Sequence, residues 1–476
     1  MKKYINTINT INLAFFLCTI YFLFLKNVIG AVINNDFNIV LITIDALRAD
    51  HLSCYGYERK TSPNIDKIAE KGIIFKNAIA PSSWTTPSMA SLFTSVYPIN
   101  HGVTHGFGIN KTIYGQEVFS DELTTLAEIL KAHGYNTFAV ASNLHLSEKF
   151  GFAKGFDYFQ CLDFLPASFV NDIIALWEDE IKKSDKFFLW AHYFDPHFPY
   201  FARKPWIEHY TSKAEMPSIL NFSKKSPHEL VEIIHMIKKD NPALSMPLTT
   251  LFKKNLLALY DSEINFVDFY IGEFIQKFEL DKKTLIIISS DHGEEFLEHG
   301  NLEHGNNLYQ ETIHIPLIVK LPHSTKKEIV KEYVNLIDII PTILHILDID
   351  PPEQTLGKHF WEKKGSLFWL KKILFKTKIL EYTITELDKN SILKAIITPE
   401  WKYIYNYKDK TELLYNIKSD PLELNNLIDK KTKQANQLKE QLFNWVSHSK
   451  KYPTKINPFQ LSPEKKEKLK GLGYIK

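Results

Sequence analysis

Hydrophobic positions in this chain fall in short dense runs separated by mixed polar stretches. Residues 38–44, NIVLITI, are almost continuously apolar and β-branched, the pattern of a strand buried on both faces, and the run stops at Asp45. Residues 284–290, TLIIISS, repeat the arrangement and stop at Asp291. TFAVAS (137–142), KFFLWAHYF (186–194) and a candidate at 313–319 are of the same kind, interleaved with helix-like segments such as 64–71 and 120–133. This alternation predicts an α/β fold with a large, mostly parallel sheet between helices. In open sheets of that type, chemistry collects beyond the carboxyl ends of the strands. Asp45, Asn143, His192 with His197, and Asp291 with His292 all lie at or just past such ends.

Further along, residues 202–250 are polar and proline-containing and read as an irregular insertion near the site. Pro351-Pro352 opens a change of character over 351–378. Residues 391–417 then read as antiparallel strands turning at Pro399-Glu400 and Lys408-Asp409-Lys410, and 430–447 as a helix. The expected organisation is a leader over 1–31, a catalytic domain over 36–350, a junction over 351–378 and a small antiparallel C-terminal subdomain over 379–476.

Composition narrows the function classes. With 476 residues, 45% hydrophobic and 24% charged, the chain is an ordinary globular one. A net charge of +2, with lysines scattered among acids, gives no footprint for nucleic acid. Lys2 and Lys3 precede the apolar run LAFFLCTIYFLFL (13–25), which reads as a cleaved secretory signal or a retained membrane anchor. Either reading places the remainder outside the cytoplasm, with membrane association through the N-terminus under the second. Beyond the leader, Cys54 and Cys161 allow at most one disulfide, so a large core must hold the fold. The basic apolar stretch LFWLKKILFKTK (367–378) reads as a packed segment with solvated lysines, or as a membrane-surface segment.

Candidate chemistry concentrates in SSDHGEEFLEHGNLEHGNNLYQE (289–311). Asp291 and His292 at a strand end can turn toward one cation through carboxylate oxygen and imidazole nitrogen, the bland alternative being a solvated acidic loop. Gly293, Gly300 and Gly305 suit tight backbone turns, and Glu294 and Glu295 read as charges opening a helix. Asp45, closing an apolar strand, needs a partner because an unpaired buried charge costs several kcal/mol. In SSWTTPSMASLF (82–93), Thr85 and Thr86 stand before Pro87, and either caps a helix or one is a nucleophile.

The segments 38–57, 63–103, 187–200, 260–275, 289–319 and 413–427 stand in the order found in sulfatases and sulfatase-like enzymes of the alkaline phosphatase superfamily, which the chain resembles from residue 36 to LKGLGYI (469–475). The resemblance implies a large central sheet with a small C-terminal antiparallel sheet. It assigns Thr85 to the nucleophile position, where sulfatases carry Cys or Ser oxidised to formylglycine, and leaves Thr86 as the helix cap. It implies one divalent metal ion (Ca, Mn, Zn or Mg) held by Asp45, Thr85, Asp291 and His292, with His197 and His304 acting on the anionic ester. His299 and Asn143 are weaker candidates, and His101 is structural support.

Three departures matter. Thr85 is not a substrate for formylglycine formation, Ala46 replaces the second aspartate of the usual pair, and Met89 replaces the usual arginine. His304 occupies roughly the place of a lysine. Relatives with a threonine nucleophile act on phosphoryl groups, so the expected substrate is a sulfate- or phosphate-type ester on a glycan or lipid headgroup. The expected activity is hydrolysis or transfer. The rival expectation is a catalytically degenerate protein that binds such a headgroup.

Overall fold

The computed structural model describes residues 37–106, 115–225, 229–230, 232–233, 242–280, 282–361, 381–458 and 462–464. The leader, the whole basic apolar stretch 367–378 with its neighbours, and the closing 469–475 motif lie outside the described residues.

Eight strands form the central sheet: β1 (Asn38–Ile44), β2 (Ile73–Ile79), β3 (Asn136–Ala141), β4 (Tyr158–Cys161), β5 (Phe187–Tyr193), β6 (Thr284–Ser290), β7 (His314–Lys320) and β8 (Glu328–Asn335). Their order across the sheet is β8-β2-β7-β6-β1-β5-β3-β4. All neighbours run parallel except β7, which is antiparallel to both β2 and β6. β1 lies at the centre, with Ile44 level with Tyr193 of β5 and Ser290 of β6. That register brings Asp45, Pro196-His197 and Asp291 out at one edge of the sheet.

The dense apolar runs follow from burial on both faces. Ile39 and Leu41 of β1 join Phe75, Trp190, Leu285 and Ile287 in a core covered by the helices Thr85–Thr94 and Ile339–Leu347. Val40, Ile42 and Ile44 point the other way, to Val140, Leu189, Ile286 and Ile288. Helices Pro63–Ala69, Ala167–Leu176 and Pro242–Lys277 cover that second face. Each fully buried leucine or isoleucine contributes about 1.5–3 kcal/mol, so these two layers hold the strand tips in place. Cys54 and Cys161 are free thiols.

A second sheet follows, β9 (Thr383–Asp388), β10 (Ile392–Ile397), β11 (Trp401–Asn406) and β12 (Glu412–Asn416), an antiparallel meander. One face packs on Leu438 and Leu442 of the helix Thr432–His448. Its other face packs on Ile79, Trp84, Leu308 and Ile313 of the main domain. The backbone N–H of Glu386 donates to Pro81 O at 2.9 Å, tying β9 to the segment before Thr85.

Several expectations need correction. The stretch 202–250 is not irregular throughout: it holds a short helix Met216–Phe222, and the 36-residue helix Pro242–Lys277 begins within it. The helix expected over 120–133 starts at Leu126, where Thr125 and Glu128 form a reciprocal capping box. Glu294 and Glu295 open no helix. Glu295 begins the two-residue strand Glu295–Phe296, and both carboxyls are buried.

Candidate active site

The helix Thr85–Thr94 begins one residue before either threonine could cap it, since Trp84 is the N-cap and no side-chain cap bond forms. Thr86 is therefore not the cap. Its Oγ1 lies 3.2 Å from His145 Nδ1, while Thr85 Oγ1 lies 3.2 Å from His292 Nε2. The first turn of this helix directs its positive end toward Thr85. Ser88 Oγ donates to Asp291 O at 2.6 Å, joining the helix to the end of β6.

His292 is fixed in one tautomer. Its Nδ1 lies 2.8 Å from Gly293 O, an acceptor, so Nδ1 carries the proton and Nε2 presents a bare lone pair. That lone pair faces Asp45 Oδ1 at 3.5 Å and Asp291 Oδ2 at 3.4 Å, together with the Thr85 hydroxyl. Neither carboxylate oxygen has a hydrogen-bond partner, although both residues are fully buried. Without a cation, the imidazole lone pair and the two carboxylates crowd one another, relieved only by the Thr85 hydroxyl and by the raised Asp291 carboxyl keeping a proton. A divalent cation among them removes the conflict, so the donor set fits a metal.

The remaining oxygens are held by neighbours. Asn143 Nδ2 donates to Asp45 Oδ2 at 2.7 Å. His192 Nε2 approaches the same oxygen at 3.3 Å, and its Nδ1 lies 2.8 Å from Thr43 Oγ1, which accepts from Trp190 Nε1 at 2.9 Å. Trp190 to Thr43 to His192 to Asp45 is thus a continuous chain that orients the carboxylate. Asp291 Oδ1 accepts from the N–H groups of Ala46, at 3.2 Å, and His292, at 3.0 Å. Burial raises the Asp45 carboxyl, but the charge of His197 and the bond and charge of His192 outweigh it, leaving Asp45 below the usual range. Asp291 moves the opposite way, raised by burial and by the Asp45 charge.

His304 and His197 stand beside this cluster. The His304 ring lies 4.1 Å from that of His292 and 4.9 Å from that of His197. His304 Nδ1 meets Glu294 Oε1 at 3.0 Å, and Tyr200 OH donates to Glu294 Oε2 at 2.9 Å. Glu294, expected as a helix-start charge, is instead the group that orients His304. His197 stacks on Phe194 and donates from Nδ1 to Phe198 O at 2.5 Å. Burial lowers the pKa of both histidines; at His304 the charges of His292 and His197 add to it, whereas at His197 the Asp45 charge opposes it.

Other candidates fall elsewhere. His299 pairs with Glu311 at 2.6 Å and stacks on Tyr309, a packing role. His101 lies against Ser91 Oγ at 2.9 Å, supporting the helix Thr85–Thr94 from behind. Met89 is buried in the core. Ala46 takes a left-handed φ of 55°, a conformation that aspartate adopts more readily than alanine. Sequence reasoning did not single out His145 or Lys389. Position after β3 was a signal for His145; nothing local marks Lys389, which comes from the second sheet.

The family profile described as Sulfatase matches residues 37–349, and that of the N-sulphoglucosamine sulphohydrolase C-terminal region matches residues 298–450. The chain is 25% identical over 447 residues to an uncharacterized sulfatase, YidJ, of Escherichia coli K12, covering 82% of this chain and 83% of that protein. It is 24% identical over 445 residues to an ulvan-active sulfatase of Formosa agariphila, covering 83% and 77%. Among solved structures, a phosphonate monoester hydrolase of Agrobacterium radiobacter superposes with a TM-score of 0.66 at 17% identity, covering 90% of this chain and all of the other (100%). A structure in complex with D-glucosamine-2-N,6-O-disulfate superposes with a TM-score of 0.64 at 20% identity, covering 87% and 98%.

Proposed function

The chain belongs to the sulfatase family, and from that premise we propose that it is a metal-dependent hydrolase of a sulfate- or phosphate-type ester that uses Thr85 as nucleophile. The observation that carries the reading is the convergence of the bare His292 Nε2, Asp45 Oδ1, Asp291 Oδ2 and Thr85 Oγ1 at the tips of separate elements. A divalent cation held by these four residues supplies the positive charge that acidifies the Thr85 hydroxyl and draws in the anionic ester.

Each residue then has a defined task. Thr85 Oγ1 attacks sulfur or phosphorus, forming a Thr85–O–S or Thr85–O–P bond as the bond to the leaving alcohol oxygen breaks. His304 or His197 takes up the Thr85 proton on activation and delivers it to the departing oxygen. Water then attacks the Thr85 ester, releasing sulfate or phosphate and restoring the hydroxyl. Amides in the first turn of the nucleophile helix stabilise the equatorial oxygens. Asn143 and the Trp190–Thr43–His192 chain keep Asp45 aligned throughout.

The neighbours that bear on substrate are a phosphonate monoester hydrolase and a protein complexed with a sulfated glucosamine, which supports an anionic ester on a glycan or similar alcohol. The charged and then apolar leader supports action outside the cytoplasm. No helix among the described residues is long and apolar enough to cross a membrane. Loss of Ala46 and Met89 functionality would favour a degenerate binder, yet four convergent donors have no use in simple anion recognition. Thr85→Ala is expected to abolish turnover of aryl sulfate, aryl phosphodiester and phosphonate esters while the fold and most of the metal binding are preserved. Turnover retained in that variant would reject the assignment.

A further inference from the structure

His304 stands where the resembled sulfatases carry a lysine, so the loop 289–311 brings no ammonium group to the site. One arrives from the second sheet. Lys389 occupies the turn between β9 and β10, and its Nζ lies 5.0 Å from the centroid of the Trp84 ring. A Cβ added to Gly305 would stand 3.3 Å from Lys389 Nζ, 3.5 Å from Lys389 Cδ and 3.5 Å from Trp84 Cβ. The absence of a side chain at Gly305 therefore opens the channel through which Lys389 passes. Trp84 directly precedes Thr85, and Gly305 directly follows His304, so the ammonium stands beside the residues that flank both site groups.

We propose that Lys389 is a substrate-binding residue that pairs with the negative charge of the ester headgroup, replacing from the C-terminal sheet the cation missing at position 304. This rests on the reading of the site as an anionic-ester hydrolase. Burial raises the Glu303 carboxyl to about 7 against the pull of the Lys389 ammonium. β9 is anchored beside Thr85 by the Glu386 N–H to Pro81 O bond, so the turn that carries Lys389 cannot drift from the nucleophile without breaking it.

The expected signature is a loss of ground-state binding. Lys389→Gln should raise KM for p-nitrophenyl phosphate about 10- to 100-fold, the equivalent of one charge-assisted bond, with kcat changing little. The rise should be smaller for the singly charged p-nitrophenyl sulfate, and Lys389→Arg should restore most of it. Binding is measured separately in the Thr85→Ala background, by calorimetry with inorganic phosphate and with sulfate, where Lys389→Gln should weaken both about tenfold or more. Because that measurement needs no turnover, it decides the role of Lys389 even if Thr85 proves not to be the nucleophile. Unchanged phosphate and sulfate affinity on Lys389→Gln, or a fall in kcat with KM and affinity unaltered, overturns the proposal.

Discussion

Around the nucleophile helix, buried histidines are held neutral, and His101 has the most direct consequence for stability. Val103 N–H donates to its Nδ1 at 3.0 Å, so Nε2 carries the proton and gives it to Ser91 Oγ. Burial pushes the imidazole down to about 3 from 6.5. Below pH 6.5 the unfolded chain takes up a proton that the folded chain refuses. Stability is therefore complete above that pH and falls as pH drops toward 3, by about 1.4 kcal/mol per pH unit for each such group. His145, also pushed down to about 3, acts in the same direction. His101→Gln should reduce the slope of unfolding free energy against pH between 6 and 5 by close to one proton, read by urea denaturation; an unaltered slope contradicts the neutral assignment. At this scale the sequence disclosed Asp45, Asp291 and His292 because each ends an apolar run. It misled at Glu294 and Glu295, since paired acids after glycine resemble a helix start and only the folded loop shows that Tyr200 and Asn307 hold them.

Loops inherit their shape from the elements they pack on, and the turn after β6 shows how tightly. Gly293 N–H donates to Thr312 O and Glu294 N–H to Glu311 O, at 2.9 and 2.8 Å. A Cβ on Gly293 would lie 2.1 Å from Glu311 O, a backbone atom that cannot step aside. Gly293→Ala must therefore displace the segment that carries Asp291 and His292. Activity should fall by 100-fold or more, as ångström-scale misplacement does elsewhere, and metal content should fall with it. Gly300→Ala is the matched control, for φ is +93° there but no atom lies within 4 Å of the new carbon. It should cost about 1 kcal/mol in melting studies and leave turnover intact; equal activity loss in both variants would show that local strain, not the Glu311 contact, is responsible. The five apolar runs read as strands are all strands. Ile73–Ile79 and Glu328–Asn335 escaped notice because Lys76-Asn77 interrupts the first and the second is a half-exposed edge. The long helix beginning at Pro242 escaped notice because Pro242 and Pro247 in its first turns read as loop breakers.

On the scale of the whole molecule, a buried charge pair within the C-terminal region holds a carboxylate that reaches across to the main domain. Lys402 Nζ on β11 meets Glu423 at 2.8 and 3.0 Å, with both side chains fully buried. Glu423 accepts in addition from Gln310 N–H at 2.8 Å, and its carbonyl oxygen lies 3.2 Å from His299 Nε2. Gln310 adjoins Glu311, whose backbone shapes the turn at Gly293, so the C-terminal region braces the loop that carries Asp291 and His292 at one point and brings Lys389 beside Trp84 at another. The motif around 413–427 was legible as a family feature, yet its purpose was not, because a lysine 21 residues away in sequence meets Glu423 only once the sheet has formed. Lys402→Met leaves Glu423 buried without its cation, and should cost about 3–5 kcal/mol. If the sheets form one cooperative unit through the shared cluster of Trp84, Leu308, Leu387 and Ile404, unfolding followed by near-ultraviolet and far-ultraviolet dichroism should shift together. Adding Glu423→Gln to Lys402→Met should recover part of the loss, because the second change removes the stranded charge rather than another contact. A further additive loss in the double variant would mean that Glu423 acts through Gln310 and His299 alone, and the brace would then be a hydrogen-bonded hinge with the lysine incidental to it.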